Sequence, residues 1–280
     1  MASGNRTALV TGAGTGVGKA VALAFLKEGY RVALAGRRKE LLEETAKEAG
    51  ASGKNALVVP TDVGKPDQVK ALFDRIRQDF GRLDALFNNA GGPGPTGSIT
   101  SIPVEGFDQA MALLVRSVML GMKHAAPVMM KQRSGSIVNN GSVAAHRAGY
   151  SSSMVYSAAK AAVNQLSRCA AMELGEHNVR VNSVSPGAIA TGIVPKALGM
   201  DANEADKIAD RMKAVYAGVQ PIPRAGITDD IAQCVAWLTS DRSTFVNGID
   251  VVVDGGLLGG RMFTPHQEGL KQVKAGLGIP

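Results

Sequence analysis

Tyr156 and Lys160 stand four positions apart in an alanine-rich stretch, YSAAKAAVNQL. On a helix this spacing puts both on one face, where the ammonium favours the tyrosinate over the phenol. An ordinary tyrosine ionises at pH ~10, and each unit of lowering takes ~1.4 kcal/mol of differential interaction. Upstream, GSIVNNGS delivers Ser142. Its hydroxyl can hydrogen-bond a carbonyl oxygen while Tyr156 protonates that oxygen, leaving the carbon open to hydride. These roles describe carbonyl reduction and its reverse, alcohol oxidation.

Hydride needs a carrier, and the chain offers a place for one near its start. Thr11 to Gly18 read TGAGTGVG, a T-G-x-x-x-G-x-G turn between a short apolar run and a helical pattern. Bare backbone and a helix N-terminus there can receive a phosphate. The spacing G-x-G-x-x-G does not fit, because Val17 occupies the third glycine position. After the second strand an NAD-type site carries an acid for the ribose 2′-hydroxyl, whereas this chain reads Gly36-Arg37-Arg38. Two guanidinium groups suit a 2′-phosphate in charge and geometry, so NADP(H) is expected over NAD(H).

The elements that must hold these groups alternate. Strands are predicted at Thr7 to Val10, Arg31 to Ala35, Ala56 to Val59, Asp84 to Phe87, Ser136 to Asn140, Val179 to Val184 and Ile249 to Val253. Helices are predicted at Val17 to Glu28, Lys39 to Ala49, and near 66–80, 106–130, 154–175 and 229–239. Seven short apolar strands with helices between them imply an α/β fold, a doubly wound parallel sheet covered on both faces. One Rossmann-like domain over 1–280 is expected. Two stretches break the rhythm: the Gly/Pro/Ser loop Gly91 to Pro103, and Ala188 to Gly226, a candidate substrate lid in which Met200, Met212 and Tyr216 offer apolar contact and Arg224 an anion contact.

Composition closes off several function classes. Hydrophobic residues make up 45% of the 280 and charged residues 20%, enough for a core and unlike a disordered chain. Cys169 and Cys234 lie in apolar helical stretches and read as small hydrophobes, and no Cys/His cluster has metal-ligand spacing. The net charge is +7, yet basic residues are scattered among acids and aromatics make up only 4%. Nucleic acid is therefore not expected, and anionic small molecules are. MASGNRTALV lacks signal-peptide character, which points to the cytoplasm. Phe107 to Met130 carries Asp108, Arg116, Lys123 and Pro127, so it fails as a membrane span.

Together the motifs resemble the classical short-chain dehydrogenase/reductase family over about residues 6–256. The matching segments are TGAGTGVG (Thr11 to Gly18), TDV (Thr61 to Val63), NNAG (Asn88 to Gly91), Ser142, Tyr156-SAA-Lys160, SPGAIAT (Ser185 to Thr191) and VDGG (Val253 to Gly256). The resemblance implies catalytic roles for Ser142, Tyr156 and Lys160. It implies cofactor contacts from Gly12, Thr15, Gly16, Val17 and Gly18, with Arg37 and Arg38 at the 2′-phosphate. Asp62 and Val63 would meet the adenine, and Asn89, Ala90 and Gly91 the adenosine side. Lys160 would hold the nicotinamide ribose, and Pro186, Gly187, Ile189 and Thr191 would flank the nicotinamide. The substrate would be a ketone or secondary alcohol and the assembly a homotetramer.

One position departs from that pattern. Many family members carry a fourth catalytic residue, an Asn, where this chain has Leu114, and a leucine cannot hydrogen-bond a relay water. Water alone or a backbone carbonyl then completes the relay, or the chain is a cofactor-binding protein with impaired catalysis. Ser142 precedes Tyr156 by fourteen residues, a slightly long interval that loop length absorbs. His124, His177 and His266 read as surface or packing residues, and His146-Arg147 as solvent-facing or as a substrate anion contact. Leu257 to Pro280 extends past the matched region and is expected to reach a neighbouring subunit or cover a pocket.

Overall fold

The structure is a computed structural model that describes residues 6–279. The reading of the amino-terminal stretch therefore falls partly on residues outside those described. Apolar runs become strands β1 (Thr7–Thr11), β2 (Arg31–Gly36), β3 (Ala56–Pro60), β4 (Ala85–Asn88), β5 (Gly135–Asn140), β6 (Val179–Pro186) and β7 (Asp250–Val253). All pair in parallel in the order β3-β2-β1-β4-β5-β6-β7. This is the expected doubly wound, Rossmann-like sheet.

Helices α1 (Gly16–Lys27), α2 (Lys39–Glu48), α3 (Pro66–Phe80) and α6 (Met154–Gly175) occupy the predicted places, and α4 (Val104–Met111) and α5 (Ser117–Gln132) fall where one longer helix was expected. Pro66 starts α3 where a missing N–H costs nothing, and Gly81, at φ 72°, ends it in the left-handed region. The segment from Ala188 to Gly226 holds three short helices, α7 (Ile193–Ala197), α8 (Ala202–Lys207) and α9 (Met212–Tyr216); α10 (Thr228–Thr239) and α11 (Phe263–Gly276) follow.

Successive strand residues point to opposite faces, and both faces are covered. Leu9 packs with Leu72 and Phe73 of α3, Met129 of α5 and Val163 of α6. Its neighbours Ala8 and Val10 turn the other way, onto Phe25 of α1, Leu42 of α2 and Val235 of α10. Burial on both sides explains why these strands are continuously apolar. Because β1 runs out toward β2 on one side and β4 on the other, a crevice opens beyond their carboxyl ends. The glycine turn, Asn89 and Ser142 follow the ends of β1, β4 and β5.

Three readings change. The single helix predicted over 106–130 is α4 and α5 joined by a π-helical turn, Ala112–Arg116, whose wider winding holds Leu114. There Ser117 Oγ donates to Leu113 O at 2.5 Å. Cys169 lies exposed on α6 rather than packed, while Cys234 is partly buried and burial pushes its thiol up to about 11. Arg224 is not free for a substrate anion: both Nη atoms grip Asp230, at 2.6 and 2.8 Å.

Candidate active site

The crevice is a cleft of about 680 Å³ running from the β2–α2 turn to Tyr156 and Lys160. Gly12, Thr15, Gly16 and Val17 line one wall. Gly18 faces inward instead: a Cβ there would sit 2.2 Å from Gly12 O and 2.5 Å from Asn89 Nδ2. Gly12 itself has φ 69°, so glycine is required there by backbone as well as by space. Thr11 Oγ1 accepts from the backbone N–H of Asn89 and of Ala90, at 2.9 and 3.0 Å, which locks the turn onto the end of β4.

The wall suits a dinucleotide. Thr15 precedes α1 without a side-chain cap, and the first turn of α1 carries no acidic residue, so the positive helix end is left for an anion. Asp62, Val63, Asn89, Ala90 and Gly91 line the same cleft. Asn140 lines it too, with its Oδ1 buried and lacking a hydrogen-bond partner. Thr191 also lines the cleft, whereas Ile189 lines a separate cavity of about 230 Å³ behind it with Gln220 and Asp254.

At the far end α6 brings Tyr156 and Lys160 onto one face, with Lys160 Nζ 5.5 Å from the Tyr156 ring centroid. Ser153 caps α6 by accepting from Tyr156 N at 3.1 Å, which starts the helix two residues ahead of the tyrosine. Lys160 is 4% exposed and donates to Asn140 O at 2.6 Å, so a backbone carbonyl takes the ammonium directly. Leu114, 1% exposed, packs with Ala110, Val155 and Ala159 and also lines the cleft.

The electrostatics differ from the expected lowering of the tyrosine. Burial raises the Tyr156 phenol above its ordinary value, and a hydrogen bond with Ser142 opposes that rise. Burial lowers Lys160 itself to about 8, which weakens the charge it can set against a tyrosinate.

A polar hub that sequence reasoning missed sits behind Ser142. The Asp250 carboxylate, 4% exposed in its side chain, accepts from Ser183 Oγ at 2.7 Å, Ser185 Oγ at 3.0 Å and Asn164 Nδ2 at 3.2 Å. His146 Nε2 lies 2.6 Å from its Oδ2. Asn164 is one turn beyond Lys160, and His146 ends the 3₁₀ turn that Ser142 opens by accepting from Ala144 N at 3.2 Å. The hub thus ties the Ser142 loop, α6, β6 and β7 together. Nothing local in the sequence joins His146 to a residue 104 positions on; an aspartate in an otherwise apolar strand was the available signal.

The two arginines have different surroundings. Arg37 is exposed on the cleft rim, with no side-chain partner among the described residues. Arg38 is held by α8: Nη1 donates to Asn203 Oδ1 at 2.6 Å and Nη2 to Asp206 Oδ2 at 3.0 Å. Among the other histidines, His124 stacks on Phe73 at 5.5 Å between centroids, a packing role as expected.

Comparison with known proteins agrees with this architecture. A family model described as enoyl-(acyl carrier protein) reductase matches residues 12–258. Levodione reductase of Leifsonia aquatica is 34% identical over 255 residues, 90% of this chain and 94% of that protein. A structure titled crystal structure of levodione reductase is 34% identical and superposes with a TM-score of 0.82, covering 92% of this chain and 99% of that one. Cyclohexanol dehydrogenase of an Acinetobacter species (strain SE19) is 33% identical over 90% of this chain and 94% of its own length. The structure titled ElxO with NADP bound is 29% identical, with a TM-score of 0.80 over 91% of this chain and all of that one. From sheet order, cleft and these relatives alike, the chain belongs to the classical short-chain dehydrogenase/reductase family of oxidoreductases.

Proposed function

We propose that this chain is an NADP(H)-dependent oxidoreductase interconverting a secondary alcohol and a ketone. The observation that carries the reading is the junction of Tyr156, Lys160 and the glycine turn in one cleft, with Arg37 open at its other end. Levodione and cyclohexanol, which name two relatives, are a cyclic ketone and a cyclic secondary alcohol, and favour that substrate class.

In the reducing direction Tyr156 gives its phenolic proton to the substrate oxygen, while Ser142 donates a hydrogen bond to the same oxygen. In the oxidising direction the tyrosinate takes the hydroxyl proton back. The nicotinamide, when bound, supplies or accepts the hydride. Lys160 would hold the nicotinamide ribose and offset the tyrosinate charge, with the Asn140 carbonyl, which accepts from its Nζ, in the place of a relay group. Gly12 to Val17 would receive the diphosphate with Gly18 packed beneath them, Asp62 and Val63 would meet the adenine, and Thr191 would flank the nicotinamide on the loop that Pro186, Gly187 and Ile189 shape. The chain acts as one domain, in the cytoplasm, as a homotetramer. NAD(H) is the second reading, favoured by the Asp206 carboxylate beside Arg38.

The test is nicotinamide absorbance with cyclohexanol, cyclic ketones and a wider alcohol panel, using each cofactor, beside Tyr156→Phe and Arg37→Asp. Turnover lost in Tyr156→Phe, with preference for NADP(H) lost in Arg37→Asp, is the expected outcome. Unchanged turnover in the first variant refutes the chemistry, and an unchanged cofactor ratio in the second refutes the phosphate assignment. Tight cofactor binding without turnover favours a binding protein.

A further inference from the structure

We infer that Asp206, on the lid, sets cofactor specificity by competing with the 2′-phosphate for Arg38, an inference that rests on the NADP(H) reading above. Arg38 and the lid face each other across the rim of the cleft. The Asp206 carboxylate bridges two cations, Arg38 Nη2 at 3.0 Å and Lys196 Nζ at 2.6 Å. Asn203 Oδ1 takes the other Arg38 amine at 2.6 Å. Arg38, Lys196 and Asp206 all line the dinucleotide cleft, so this clasp forms part of its wall. The contact is built closely: a Cβ at Gly192 would lie 2.7 Å from Asp206 Oδ1 and 2.8 Å from Ala205 O.

A carboxylate and a phosphate are both oxyanions, and a guanidinium edge offers the same paired donors to either. Both Arg38 Nη atoms already serve lid acceptors. An arriving 2′-phosphate therefore meets one open arginine, Arg37, and one whose charge is offset by Asp206, which also repels the phosphate. To gain Arg38 the phosphate must displace Asp206 and release α8 from the rim. A ribose 2′-hydroxyl makes no such demand, since it can donate to the Asp206 carboxylate with the clasp closed. The acid that an NAD-type site places after its second strand is here supplied from the lid, about 170 positions later in the chain. Arg37 and Arg38 draw the site toward NADP(H), and Asp206 holds that preference down.

The experiment measures Kd for NADPH and NADH by nicotinamide fluorescence on the full chain and on Asp206→Asn, Asp206→Ala, Arg38→Gln and the double variant Asp206→Ala/Arg38→Gln. The isosteric Asn variant guards against collapse of the lid in the Ala variant, and an unchanged thermal unfolding midpoint reports an intact fold. Both Asp206 variants are expected to tighten NADPH about fivefold, the scale of a partly exposed ion pair, with NADH unchanged or weaker. In the Arg38→Gln background the gain should vanish. An unchanged NADPH Kd in both Asp206 variants, or a gain that persists without Arg38, overturns the inference. Arg37→Asp separates this from failure of the underlying reading: if that change leaves the NADPH/NADH ratio unmoved, the phosphate does not lie at these arginines at all.

Discussion

Replacing Lys160 by Met should remove a pH dependence of stability whose size and sign follow from burial. Lys160 is 4% exposed, and burial lowers it from 10.5 to about 8. Between those values the folded protein has released the proton while the unfolded chain still holds it. The unfolded chain then binds more protons, and stability rises with pH. Below pH 8 both states are protonated and the native state bears the whole cost of a buried ammonium, about 3 kcal/mol at ~1.36 kcal/mol per unit. Urea unfolding of both proteins from pH 7 to 10.5 reads this directly. The stability of the parent minus that of Lys160→Met should climb by about 3 kcal/mol across the window, while other titrating groups cancel. A flat difference would refute the reasoning and show that Lys160 keeps its proton through its contact with Asn140 O.

Three further outcomes follow from the site. Asp250→Ala strips one acceptor from two serines, Asn164 and His146, and should cost about 3–5 kcal/mol in denaturant unfolding. His146→Ala, at a side chain 31% exposed, should cost only about 1 kcal/mol, and equal losses in the two would contradict the hub. Leu114→Asn buries an amide among Ala110, Val155 and Ala159 and should cost about 1–3 kcal/mol while nicotinamide cofactor binding and turnover persist. Loss of cofactor binding there would mean that the π-turn shapes the cofactor wall itself. Deleting 262–280 removes α11, none of whose residues is buried, and should change assembly size in light scattering or the substrate KM; a protein unaltered in both would make the tail a passive appendage.

The strands and helices were legible because their signals are local. Each apolar run of four to six residues became a strand, and 3.6-residue periodicity placed α3 and α6 at their observed bounds. Tyr156 and Lys160 were equally legible, since four positions on a helix fix a shared face. What lay hidden depends on contacts between distant segments or on surroundings. The π-turn at Ala112–Arg116 leaves the apolar pattern of the helix intact and changes only its winding. The Arg38 clasp joins residues 165 and 168 positions apart, and His146 meets Asp250 across 104. The raised Tyr156 and lowered Lys160 reflect desolvation, a property of the folded interior that residue spacing does not carry. The exposure of Cys169 was missed for a simpler reason: an alanine-rich helix has apolar residues on its outer face as well.

The hub at Asp250 also bears on the order in which the molecule is completed. The chain is made from its amino terminus, and a nascent chain reaching residue 200 already contains the glycine turn, both arginines, Ser142, Tyr156 and Lys160. It lacks the carboxylate that fastens the Ser142 loop to α6 and β6. Closure of that contact waits for β7, the edge strand and the last of the sheet. Such late, long-range contacts form slowly. A product cut short ahead of β7 would thus carry every reacting side chain without the support that aligns them.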